Sequence, residues 1–206
     1  MPEYSKRVNP GKSPLKQTID RPAEDLKTIV ISPIDPIDSG ILASIGREID
    51  RTFGLHISIR SLLRNVDFAF DPGRGQYYST VILEKLADML PAPAARVVAI
   101  TNVDLFIPIL THVYGEAQLA GKACIVSTFR LKEGLSPVNI PENFENRLAK
   151  EALHELGHTF NLRHCQDKSC FMHYCRSMRD VDRKSDQPCR YCRILLEDEL
   201  KKLRGR

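Results

Sequence analysis

Three histidines in one short run make the strongest geometric demand in this 206-residue chain. His154 and His158 are four residues apart, so on an α-helix they lie on one face and both imidazoles can reach one metal ion. Glu155 is turned about 100° from His154, beside such an ion without binding it. That position suits a base for a water molecule at the metal. Two histidines on a charged helix are also a common surface pattern, so the pair alone does not establish chemistry. His164 changes the argument. If the helix ran on, His164 would stand about 9 Å further along the axis, whereas a Zn–N bond is about 2.0–2.1 Å. The chain must therefore leave the helix and turn back. Asn161 stands where that turn falls, and Asn is second to Gly at positive φ.

The run His154-Glu155-x-x-His158-x-x-Asn161-x-x-His164 resembles the metzincin zinc peptidases, whose pattern is HExxHxxGxxH followed by a methionine turn. Asn161 in place of Gly departs from that pattern at a cost in backbone strain that Asn tolerates best. The resemblance makes Phe171-Met172-His173-Tyr174 a candidate methionine turn, with Met172 as an apolar floor beneath the histidines. Read alone, Met172 is a core methionine. In the astacin-like branch a tyrosine two positions after that methionine binds zinc or stabilises the oxyanion, which gives Tyr174 a candidate role. Read alone, Tyr174 is an amphipathic packing residue.

Cys165 and Cys170, then Cys189 and Cys192, form two close pairs with the ligand spacing of a tetrahedral zinc site. A redox pair is the rival reading of Cys189-x-x-Cys192, but its usual βαβ context is missing. Disulfides lack support because nothing else reads as secreted. Cys124, in an apolar stretch, reads as a small core residue, and Cys175 is a rival ligand with poorer spacing. The whole run from His154 to Cys192 is similar to the archaemetzincins, a metzincin branch with HExxHxxGxxHC, then C-x-M, then a later CxxC. The stretch from Met172 to Cys189 is about one residue shorter than that pattern, which a loop absorbs. The match covers about a fifth of the chain. It implies a catalytic Zn²⁺ on His154, His158 and His164, Glu155 as general base, and a structural Zn²⁺ on the four cysteines. It also implies hydrolysis of peptide or protein substrates, aminopeptidase-like in some members. His164 and Cys165 would then be neighbours serving different metals, and the structural site would pin the third catalytic ligand.

The rest of the chain reads as α/β. Strands are expected over Thr28–Pro33, His56–Arg60 and Arg96–Val103, and helices over Ser39–Phe53, Tyr78–Leu90, Pro141–Phe160 and Ile194–Leu203. Alternating strands and helices predict a mostly parallel twisted sheet. Gln118–Leu131 reads as a hairpin or antiparallel edge strand, with Gly121–Thr128 as the cleft rim by analogy with metzincins. His56 reads as a strand residue and His112 as structural or surface. The loop His173–Pro188 is expected to shape the pocket after the scissile bond. The expected fold is metzincin-like: a basic arm over 1–26, an α/β subdomain over 27–161 and a small zinc-stabilised subdomain over 162–206.

An apolar content of 42% suits a globular core, and no apolar run reaches membrane-spanning length. Met1–Pro22 is polar and basic without an apolar signal core, so a cytoplasmic location is expected. The net charge of +4 is mild, and basic residues are not interleaved with stacking aromatics, which argues against nucleic acid. Two alternatives stand beside the peptidase: a latent or inactive zinc-binding protein, and a zinc-knuckle module for nucleic acid or protein. Glu155 has no purpose in a knuckle. The pattern leaves oligomeric state open.

Overall fold

The computed structural model describes residues 27–135 and 140–205. The basic arm expected over 1–26 lies outside the described residues. The first strand, β1 (Thr28–Pro33), enters the centre of the molecule, and its apolar run leads into α1 (Ser39–Phe53). Asp38 caps α1 by accepting from Gly40 N at 2.8 Å and Ile41 N at 3.2 Å. Gly54, in the left-handed region at φ 58°, ends it. The chain then forms β2 (His56–Ile59), β3 (Phe70–Asp71), β4 (Gln76–Tyr78), α2 (Ser79–Asp88), β5 (Ala94–Thr101) and β6 (Leu105–Phe106). It continues through β7 (Gly115–Ala117), β8 (Ala123–Ser127), α3 (Ile140–Thr159), α4 (Met178–Arg183) and α5 (Arg190–Arg204).

Five strands make the main sheet in the order β2-β1-β5-β8-β7. The first four are parallel and β7 pairs antiparallel with β8 at one edge. Strand residues alternate between two cores, as a period of two requires. Ile29, Ile31, Val98, Ile100, Cys124 and Val126 face α1 and α3, whereas Val30, Val97, Ala99 and Ile125 face α2. A second sheet, β3-β4-β6, consists of strands of two or three residues, too short to leave a periodic signal in sequence. The mixed, mostly parallel α/β expectation is met. Among the described residues no helix is long and apolar enough to cross a membrane.

The rim assignment needs correction. β8 lies inside the sheet, paired on both sides, with all five residues buried. Its unbroken apolar run is the mark of a strand covered on both faces. The open edge is β7, whose Gly-Glu-Ala carries no strand pattern. The hairpin itself is present. Its turn is tied by Gly121 N donating to Gln118 O at 2.8 Å, and Ala120 adopts φ 55°. In that conformation Ala120 N donates to the His158 carbonyl at 2.9 Å, fastening the turn to the end of α3.

The C-terminal segment joins the same core: Phe171, Met172, Val181, Leu196 and Leu200 are buried with α1 and α3. Phe53 stacks on Phe160 at 4.9 Å, and Arg204 donates to the carbonyls of Phe53 and Gly54. Arg147 on α3 is buried and donates to both carboxylate oxygens of Asp182 at 2.7 and 2.8 Å, and to the carbonyls of Leu131 and Glu133. It ties α4 and the preceding loop to one helix.

Ala120 offers a direct test of stored strain. A left-handed non-glycine residue costs about 1–2 kcal/mol, and glycine returns part of that through unfolded-chain entropy. Ala120→Gly is therefore expected to stabilise the fold by about 0.5–1 kcal/mol in urea unfolding. A midpoint that stays put or falls would mean that the turn is unstrained.

Candidate active site

α3 runs through the middle of the molecule, with every residue from Glu151 to Gly157 buried. Phe144, Leu148, Ala152 and Leu156 form its expected apolar stripe, and His154, Glu155 and His158 lie off it toward a cleft. The helix ends in a Schellman turn. Asn161 N donates to His158 O at 2.9 Å, Leu162 N donates to Gly157 O at 3.0 Å, and Asn161 stands at φ 63°. The helix exit read from Asn161 is thus present, and it carries the chain back to His164.

The structure brings the three histidines together. Each offers a nitrogen within 4.8 Å of the others. His154 and His158 have their Nε2 atoms 3.2 Å apart. Two nitrogens at tetrahedral positions around one zinc would be about 3.3 Å apart. The opposite nitrogens fix the tautomers: His154 Nδ1 donates to Phe171 O at 2.8 Å and His158 Nδ1 to Leu162 O at 2.7 Å. A carbonyl only accepts, so Nδ1 carries the proton and the Nε2 lone pairs converge. Burial pushes His158 down to about 4 and lowers His154 and His164, so all three rings are neutral near pH 7, as metal ligation requires. Lone pairs converging at this range, from a buried, a half-buried and an exposed ring, fit a cation.

Glu155 is buried at one side of the triad. Burial raises its carboxyl well above the usual range; Glu151 and Glu116 add to this and Lys184 opposes it. Its neighbour across the cleft is Gly115 on β7, where a Cβ would stand 2.6 Å from Glu155 Cγ and 2.7 Å from Ile125 O. Only glycine lets the edge strand come this close. Met172 is fully buried against Gly157, and Tyr174 is half-exposed with its ring 4.9 Å from that of His164.

The four cysteine sulfurs form a second group within 4.8 Å. Cys165 Sγ and Cys189 Sγ are 3.7 Å apart, matching about 3.8 Å for two sulfurs tetrahedrally bound to zinc. The N–H groups of Asp167, Cys189 and Cys192 point at Cys165, Cys170 and Cys189 respectively, as suits thiolates. Cys170 and Cys192 are buried in the core. Cys175 stands outside this group and lines the cleft; burial raises its thiol to about 11. Cys124 is buried in β8.

The cleft holds about 560 Å³, within the range of ligand sites. One wall is β7 and the segment before it, from Ile107 to Ala117; the floor is α3; the other wall is Arg163, His164 and part of the loop 173–188. His112, expected to be structural or surface, faces this cleft, edge-on to Tyr114. Tyr114, Glu116, Glu151, Arg176 and Lys184 also line it, and the sequence singled out none of them. Their positions depend on long-range packing, which leaves no local signal in the sequence.

Comparison with known proteins agrees with this geometry. The sequence profile of peptidase family M54 matches residues 48–198. An archaemetzincin of Methanocaldococcus jannaschii is 34% identical over 176 residues, covering 82% of this chain and 93% of the relative. One from Methanopyrus kandleri is 41% identical over 136 residues, covering 66% of this chain and 74% of the relative. The crystal structure of the M. kandleri archaemetzincin superposes with a TM-score of 0.77 at 33% identity, covering 87% of this chain and 98% of that one. That of Archaeoglobus fulgidus, complexed with malonate, gives 0.68 at 31%, covering 82% and 99%. With a family match over most of its length, the chain belongs to peptidase family M54, the archaemetzincins, and is a zinc metallopeptidase.

Proposed function

We propose that the chain cleaves peptide bonds in the cleft between β7 and α3, with Glu155 as the base and His154, His158 and His164 holding the catalytic zinc. Cys165, Cys170, Cys189 and Cys192 hold a structural zinc. The observation that carries this reading is Glu155, buried beside three converging imidazoles and facing the open edge of β7. Zinc, when bound, lowers the pKa of water toward 7 and polarises a carbonyl oxygen. Glu155 takes the proton of the attacking water and hands it to the leaving amine. The half-exposed phenol of Tyr174, against His164, donates to the developing oxyanion. The unpaired edge of β7 binds substrate main chain as an added strand. Four cysteines serving as zinc ligands, with Cys124 and Cys175 outside them, suit a reducing compartment, the cytoplasm.

The cleavage is aminopeptidase-like in this reading. Glu116 on β7 is not the carboxylate that holds the substrate's α-amine: Gly115 before it faces Glu155, so Glu116 turns to the other face of the sheet, where Oε1 accepts from Thr80 Oγ1 of α2 at 2.8 Å.

Glu155→Gln is expected to keep zinc and lower kcat/KM by about 10²-fold or more. Wild-type rates in that variant would remove Glu155 from the chemistry, and an inactive wild type would favour the latent reading. Elemental analysis by mass spectrometry should find two zincs per chain, with one lost in His154→Ala and the other in Cys189→Ser. One metal in the wild type, or variants that keep both, would sink the two-site assignment. Peptides with a free amino terminus should be cut faster than their acetylated forms. Equal rates in the wild type would make the enzyme an endopeptidase.

A further inference from the structure

Building on the peptidase reading above, we propose that the cleft one helical turn before Glu155 is a subsite for a carboxylate on the residue that follows the scissile bond, with Arg176 as the group that contacts it. A substrate strand paired antiparallel to β7, the stronger of the two ladders, runs from Ala117 toward Tyr114. Gly115 faces Glu155, so the residue after the cut falls toward Tyr114 and Glu151. Glu151 precedes Glu155 by four residues, about 6 Å along the same helix face.

The acidic groups near this end of the cleft are already matched, and Glu133, whose charge acts on Tyr114, pairs with Arg130 at 3.4 Å. Glu151 is matched by Lys184, whose Nζ lies 2.8 Å from Oε1, both side chains buried. The loop 173–188 contributes the opposite wall, and its acidic residues are three aspartates, each already engaged. Asp180 accepts from the backbone N–H groups of Arg176 and Ser177 and from Ser177 Oγ. Asp182 takes the Arg147 fork, and Asp186 pairs with Arg51. Arg176 lines the cleft, is exposed, and is in no ion pair among the described residues. A guanidinium with its fork free is built for a carboxylate. The carboxylate has two sources: an Asp or Glu side chain, or the free C-terminus when only one residue follows the cut.

The test uses the zinc-loaded full chain and amidated neutral hexapeptides carrying Glu, Gln or Lys at one position, with cut sites read by mass spectrometry. Wild type should prefer Glu over Gln after the cut by about threefold to tenfold in kcat/KM, chiefly through KM, with Lys poorest. The ratio should fall to about one in Arg176→Gln, stay above one in Arg176→Lys, and shrink at high salt. Dipeptides with a free or amidated C-terminus form the second arm, and a preference for the free acid that Arg176→Gln removes assigns the α-carboxylate as a source. A flat or Lys-favouring wild-type profile overturns the subsite, as does a ratio that Arg176→Gln leaves unmoved. Cutting of the Gln peptide that disappears in Glu155→Gln upholds the peptidase reading whatever the ratio. Failure to cut any peptide overturns both.

Discussion

Two hydrogen bonds from imidazole Nδ1 to backbone carbonyl, His154 to Phe171 O and His158 to Leu162 O, set the tautomers on which the metal site depends. Without them each ring could rotate or present a proton where a lone pair is needed. Each carbonyl is itself held. Leu162 belongs to the Schellman turn that ends α3, so one backbone reversal orients the second histidine and delivers the third. Phe171 directly follows Cys170, and Cys165 directly follows His164. The cysteine group therefore grips the chain immediately beside one orienting carbonyl and immediately beside one ligand. Cys165 N donates to Met172 O at 2.9 Å and His173 Nδ1 donates to Cys165 O at 2.9 Å, closing the two strands of that clasp.

Close packing around α3 explains its composition. Glycine inside a helix costs about 1 kcal/mol relative to alanine, yet Gly157 lies one residue before His158. A Cβ there would collide with Met172 Sδ and stand 3.0 Å from Phe171. Overpacking a core costs about 1–3 kcal/mol, and here it would displace Met172 and press on Phe171, whose carbonyl orients His154. The helix penalty is the smaller of the two. Gly115 answers the same demand from the sheet side, where both Glu155 and the Ile125 carbonyl close in. The helix can be surrounded on three sides because its two tightest approaches lack side chains.

The grouping of the three histidines and of the four cysteines was legible in sequence because its determinants are local. Ligand spacing, the helix period and the φ preference of Asn161 act within a few residues, and the resemblance supplied the pairing of the two sites. The parallel core strands were legible from their apolar runs. The rim was not. β7 is three residues with no alternation, and it is a strand only because β8 lies beside it; the apolar run of β8 drew the assignment inward by one strand. The small sheet and α4 escaped for the same reason of length. Arg176, Lys184 and Glu151 reach one cleft from separate elements, and spacing along the chain carries no trace of that meeting.

The Lys184–Glu151 pair shows why such residues matter at a site they do not join. Burying two opposite charges adds little stability, since desolvation can match the attraction. Its effect is on the neighbourhood. Glu151 and Glu155 lie one turn apart on the same face, both buried, and two carboxylates so placed resist sharing a negative charge. With Lys184 absent, that repulsion would fall wholly on the pair of glutamates. With it present, Lys184 offsets part of that repulsion, and burial remains the largest influence holding the Glu155 carboxyl up. The lysine comes from the segment that also carries Met172 and Arg176 between the two cysteine pairs. One clasped stretch of chain thus supplies the carbonyl for His154, the countercharge beneath Glu155 and a cation of the cleft wall, and the four-cysteine group at its ends holds all three at once.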